Sequence, residues 1–355
     1  MTKRLPSVDF LRGFSIVAMI QTHLWVAFFA PVGGVAEALH RWLVAPLGGH
    51  AAPLFVLVSG MSAHLAVRAL RRRACEEAIV PTFLKRGLAL FGLSTVVNVA
   101  AGPWLHFLDI SLLNWGVIQL IGLCLCLVPQ FVRLRGFGKA VWVVAPLILS
   151  GWICPTVEVA RVFCSGFAPP FPWAALFFAG FLVGEGYTWA WQSGSVRRLC
   201  GLASIGLFLV VPLGLLLNAV YRPLVWTHTP NMSLTSAFVF MGDFVLLVAL
   251  CGYLLDYRGP QAKVVDSVVG LGQHALTLYY LQLGGIVLLP TVLRHIVGHR
   301  PVLGPIWFLP LLLVVLLLCH VIINVLWRHF DYRLSLEWWL SLLMKGRPGR
   351  VLEAE

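Results

Sequence analysis

The stretch VDFLRGFSIVAMIQTH, from Val8 to His23, has the apolar content of a membrane helix. It also carries Asp9, Arg12 and His23, which lipid does not tolerate. Arg12 and His23 are eleven residues apart; at 100° per residue they lie only about 20° apart around a helix. Along the axis they are separated by about 16 Å. Asp9 precedes Arg12 by three residues and can pair with it on that face. A polar seam therefore runs up one side of the first helix and must face the bundle interior or an aqueous cavity. A snorkelling Arg12 and a His23 bonded to a neighbouring helix is the plainer account of each residue alone. Three such groups on one face favour a functional seam.

The composition agrees with a membrane location. Of 355 residues, 59% are hydrophobic and 11% charged, against about 25% charged in soluble domains. Such a chain cannot cover a water-facing surface, so it reads as a polytopic membrane protein. The net charge of +12 is not a nucleic-acid signal, because the basic residues lie between hydrophobic stretches. No nucleic-acid partner is expected, and membrane lipids are. Lys3 and Arg4 resemble the start of a signal peptide. Asp9 and Arg12 interrupt the apolar run, however, and no small-x-small cleavage site follows. The segment is read as a retained first span.

The fold class expected is all-α, a polytopic bundle of about ten transmembrane helices. The spans fall near 10–30, 50–69, 84–101, 114–133, 139–154, 171–190, 199–219, 236–255, 270–292 and 304–327. With both termini cytoplasmic, 21 of the 26 Lys and Arg fall inside, and only Arg41, Arg161, Arg222, Arg294 and Arg300 fall outside. One missed or extra helix would scramble that bias. Residues 1–330 form the membrane domain, and 331–355 a cytoplasmic tail. Trp338 and Trp339 in that tail mark a short interfacial helix. Cys154 and Cys164 share one outside loop, as a disulfide or as two thiols with equal claim. No Cys/His metal spacing occurs, and no metal is expected.

RLPSVDFLRGFSIVAMIQTH resembles the first-helix signature of the transmembrane acyltransferases, which include the acyltransferase-3 proteins. Its marks are Ser7, Asp9, Arg12, Gly13 and His23. HAAPLFVLVSGMSAHLA (50–66), FLKRGLALFGL (83–93), NWGVIQLIGL (114–123) and FPWAALFFAGFLVGE (171–185) are similar to segments of one branch, the heparan-α-glucosaminide N-acetyltransferase catalytic domain and its bacterial members. The resemblance covers roughly residues 4–190. It implies an acyl-CoA donor, as acetyl-CoA, taken from the cytoplasm, and a glycan, lipid-linked or other hydroxyl- or amine-bearing acceptor. It also implies a location in the bacterial inner membrane.

That activity needs a cationic mouth, a base at depth and an acceptor pocket. Arg68, Arg71, Arg72, Arg73, Lys85 and Arg86 cluster about one inside loop and suit CoA phosphates, although topology signalling alone also explains them. Asp9 would hold Arg12 at the mouth. His23 lies in the signature, and His40 in the first outside loop lies near a histidine that the branch uses; either imidazole could serve as base or carry the acyl group. Trp104, Asp109, Asn114 and Gln119, with Asp243 in the eighth span, are acceptor-side candidates. A carrier using Asp243, His23 and His320 as a proton relay is the competing class, with no inverted repeat to support it. A non-catalytic assembly protein is a third, disfavoured by the intact Asp9, Arg12 and His23 set. Oligomeric state is not legible.

Overall fold

The computed structural model describes residues 5–29, 34–101, 115–156, 163–164, 166–221, 234–259, 262–288, 302–333 and 335–344, with single positions at 290, 292, 296 and 298. The chain is all-α and 89% helical, with no strand among the described residues. Among the described residues, six helices are long and apolar enough to cross a membrane. The protein is thus an integral multi-pass membrane protein.

The first helix, α1 (Pro6–Phe28), starts where Pro6 meets the first turn, a position that needs no amide donor. It begins four residues earlier than the apolar run alone indicates. Asp9 is thereby drawn into the first turn, where the helix dipole favours an acid. After the short α2 (Gly34–Leu39), a π-helical turn, His40–Val44, leads directly into α3 (Ala45–Arg72). The expected first outside loop is therefore largely helix, and His40 stands on a helical turn. Next come α4 (Ile79–Ala101), α5 (Val117–Arg133), α6 (Phe137–Thr156) and α7 (Pro170–Gln192).

The distal part holds α8 (Val196–Ile205), α9 (Val211–Tyr221) and α10 (Leu234–Cys251). A π-helical turn, Gly252–Tyr257, continues α10. The expected ninth span is broken. It runs as α11 (Lys263–Gln273) and α12 (Ala275–Gln282), interrupted at His274, whose φ of −117° and ψ of 32° leave the helical region. The last long helix begins at α13 (Phe308–His320), and the tail forms α14 (Leu336–Met344).

Close crossings of glycine build the core. A side chain at Gly13 would overlap Val268 O, and one at Gly272 would overlap Asp9 O, so α1 and α11 meet backbone to backbone. Gly60 and Gly180 do the same for α3 and α7 against Phe177 O and Leu57 O. In lipid, where hydrophobicity does not drive helices together, such contacts supply the packing. Around them lie fully buried Phe131, Phe177, Phe178 and Phe181.

Candidate active site

The polar seam of α1 exists. Arg12 Nη1 lies 3.1 Å from Asp9 Oδ1, as the three-residue spacing requires. Arg12 also donates to Ser62 Oγ of α3 at 2.5 Å and to the Gly272 carbonyl of α11 at 3.5 Å. Three helices therefore hold one guanidinium. One turn earlier, Ser7 N donates to Asp256 Oδ1 at 2.9 Å, and the Ser7 hydroxyl also meets that carboxylate. Tyr187 of α7 donates to Asp256 Oδ2 at 2.5 Å. Asp256 thus ties α1, α7 and the end of α10 together.

The candidate donor residues are spread around this end. Arg71 pairs with Glu76 at 3.1 Å, while Arg72, Arg73 and Lys85 are exposed. Arg86 lies in electrostatic reach of Arg12 and of Glu337 in the tail. One guanidinium nitrogen of Arg68 is buried with no hydrogen-bond partner among the described residues. His64, one turn before it, bonds Thr188 Oγ1 at 3.1 Å and is in reach of Lys139. Glu185 of α7 pairs with Lys139 of α6.

His23 lies further along α1 and faces Gln282 of α12. His23 Nδ1 and Gln282 Oε1 are both buried with no hydrogen-bond partner among the described residues. Gln282 Nε2 reaches only Met19 Sδ, at 3.7 Å. An unsatisfied buried polar atom costs about 1–3 kcal/mol, and the two side chains lie close enough that a small shift of the Gln282 amide would pair them. His40 is differently placed. Its ring lies against Trp25, tilted by 35° with centroids 5.6 Å apart, while its neighbour Arg41 pairs with Glu37.

Asp243 has a partner that the sequence did not reveal. His50 Nε2 of α3 stands 3.2 Å from Asp243 Oδ2, and His50 Nδ1 stands 2.6 Å from Pro46 O. Both ring nitrogens therefore face oxygen atoms. Each side chain keeps 42% of its surface open, which leaves the carboxylate approachable. The Ser7–Asp256 tie sets the relative height of these groups. Asp243 is thirteen residues from Asp256 and His23 sixteen from Ser7, about 20 and 24 Å along their helices. Gly48, two residues before His50, packs on Thr22. His23, His50 and Asp243 therefore share one layer, well removed from Arg12.

Gln119 is buried at the start of α5. It accepts from Asn98 Nδ2 and Gly116 N, each at 3.0 Å, and donates to Thr95 Oγ1. Its amide is committed to holding α4 and α5 together, which does not leave it open to an acceptor. Trp104, Asp109 and Asn114 lie outside the described residues. Cys164 is disulfide-bonded; the side chain of Cys154 lies outside the description. No three His, Cys, Asp or Glu gather as a metal site among the described residues.

Ser62, His50, Asp256 and Gln282 were not singled out, or were read as packing groups. Ser62 and His50 carried a faint signal, as polar positions of an otherwise apolar span. The others become visible only when distant helices meet.

The membrane bundle thus carries an ion-paired arginine at one end of a polar seam and an imidazole with a buried Nδ1 far along it. Residues 4–211 match the heparan-alpha-glucosaminide N-acetyltransferase catalytic family, and the chain belongs to it. That family indicates a membrane acetyltransferase and does not favour the carrier. No curated protein matches the chain.

Proposed function

We propose that the protein moves an acetyl or other short acyl group from cytoplasmic acyl-CoA to a glycan or another hydroxyl- or amine-bearing acceptor at or across the membrane. In this reading the bundle has ten spans with both ends cytoplasmic, in a bacterial inner membrane. Residues 1–330 form the transferase unit and 331–355 its tail. The observation that supports the reading is the His23 imidazole beside Gln282 of α12, its Nδ1 buried, on the same seam as the anchored Arg12.

Arg12, fixed by Asp9, Ser62 and the Gly272 carbonyl, lines the donor opening. Arg68 and Arg86, with Arg71, Arg72, Arg73 and Lys85, supply positive charge for the CoA phosphates. His23 takes the proton from the acceptor as its oxygen or nitrogen attacks the thioester carbonyl. The new C–O or C–N bond forms, the C–S bond breaks, and the proton passes to the departing CoA sulfur. Asp243, held by His50, binds hydroxyl or amine groups of the acceptor, and Trp104, Asp109 and Asn114 are further acceptor-side candidates.

The test is release of CoA and labelling of acceptor by purified protein given labelled acetyl-CoA and membrane extract. H23A and R12A are expected to lose both, and H40A to retain them. CoA release unchanged in H23A and R12A would sink the assignment. Loss in H40A alone would move the base to His40.

A further inference from the structure

The break at His274, two residues beyond the Gly272 that accepts from Arg12, leaves the first amides of α12 without helical partners. The tail supplies one. Glu337 Oε1 accepts from Leu276 N at 2.8 Å and from Thr277 N at 3.2 Å, and its other oxygen accepts from the Thr277 hydroxyl. Thr277 Oγ1 in turn accepts from Leu336 N at 2.9 Å. Tyr332, before α14, stacks on His274 with centroids 4.1 Å apart. A short amphipathic helix resting on lipid needs none of these bonds. The tail is docked into the membrane domain through the start of α12.

What α12 carries gives the docking its meaning. Gln282 lies five residues beyond Thr277, about 8 Å up the helix, and faces His23. On the other side of the break, Gly272 accepts from Arg12 and packs on Asp9. The position of α12 relative to α11 therefore sets how Gln282 sits against His23 while Gly272 holds Arg12. α12 runs on through a π-helical turn, Leu283–Leu288, so its position is fixed at one end by the break at His274 and by what closes its first turn there. We propose that Glu337 is a positioning residue for the acyl-transfer site: by closing the N-terminus of α12 it holds Gln282 against His23. This inference rests on the acyl-transfer reading and makes the tail part of the catalytic unit.

The experiment is a double-mutant cycle on purified full-length protein, with E337A, Q282A and the pair, read as kcat and donor KM for acetyl-CoA. E337A is expected to lower kcat by about tenfold, the scale of losing a charged helix cap, with donor KM changed less than about threefold. E337D should recover most of the rate. In the Q282A background, E337A should cost less than about twofold, because the group it positions is gone. A wild-type kcat in E337A, or a full tenfold loss on top of Q282A, would overturn the proposal. If E337A fails to elute as a folded species, T277V removes one of the same ties and must show the same non-additivity, or the proposal falls. Wild-type protein that releases no CoA would instead overturn the acyl-transfer reading.

Discussion

The two ends of the seam are built in opposite ways. Around Arg12 and Ser7 the polar groups meet partners from α1, α3, α7, α11 and the end of α10. In the far layer, His23 Nδ1 and Gln282 Oε1 meet none among the described residues, and Asp243 and His50 remain partly open. The saturated end resembles a structural anchor whose bonds are spent on holding helices. The unsaturated end keeps its hydrogen-bonding capacity for something else. Apart from Arg12, which also lines the proposed donor opening, changes at the first end should act mainly on stability, and changes at the second mainly on rate.

The largest effect should come from the crossing beneath the anchor. Gly13→Val would drive a side chain into the Val268 carbonyl, and the helices cannot part without losing the Arg12 bond to Gly272. The variant is expected to be recovered in low yield and to lose more than about 3 kcal/mol of stability, checked by thermal unfolding in detergent. A Gly13→Val protein as stable as the wild type would mean that α1 and α11 do not cross as described.

H23A comes next. It should slow acyl transfer by about a hundredfold or more, the usual scale for a lost general base. Its melting temperature should hold or rise, since a buried unsatisfied nitrogen leaves with the ring. D256N should do the reverse. It weakens the acceptor that Ser7 and Tyr187 share, costs about 2 kcal/mol, and leaves kcat of the folded fraction within about threefold. H23A that destabilises without slowing, or D256N that slows without destabilising, would invert the comparison.

A smaller effect is expected for D243N, about a tenfold rise in acceptor KM, in line with one charged hydrogen bond. Donor KM should be untouched in kinetics run at varied acetyl-CoA. The smallest belongs to the exposed Arg41–Glu37 pair. E37A should shift stability by less than about 0.5 kcal/mol.

Much of the first region was legible in sequence, because its information is local. The three-residue step from Asp9 to Arg12 and the eleven-residue step to His23 are helix periodicity, and the ion pair follows. Positions near 171–190 and 236–255 gave α7 and α10 by apolar length alone. The second region was not legible for the opposite reason. His50 and Asp243 are separated by 193 residues, and Glu337 and Thr277 by 60. No period links such positions. Apolar length also hid the break at His274, since a split span and a whole one have the same hydropathy. His40 was read onto a loop because hydropathy falls there, although the helix continues through it.

The central claim is that the unsatisfied end performs the chemistry while the saturated end carries it. The most direct test is to measure acetyl-CoA binding and acyl transfer side by side in purified H23A. The account predicts donor affinity within about threefold of wild type and transfer reduced by about a hundredfold or more. H23A that transfers the acyl group at the wild-type rate would contradict it.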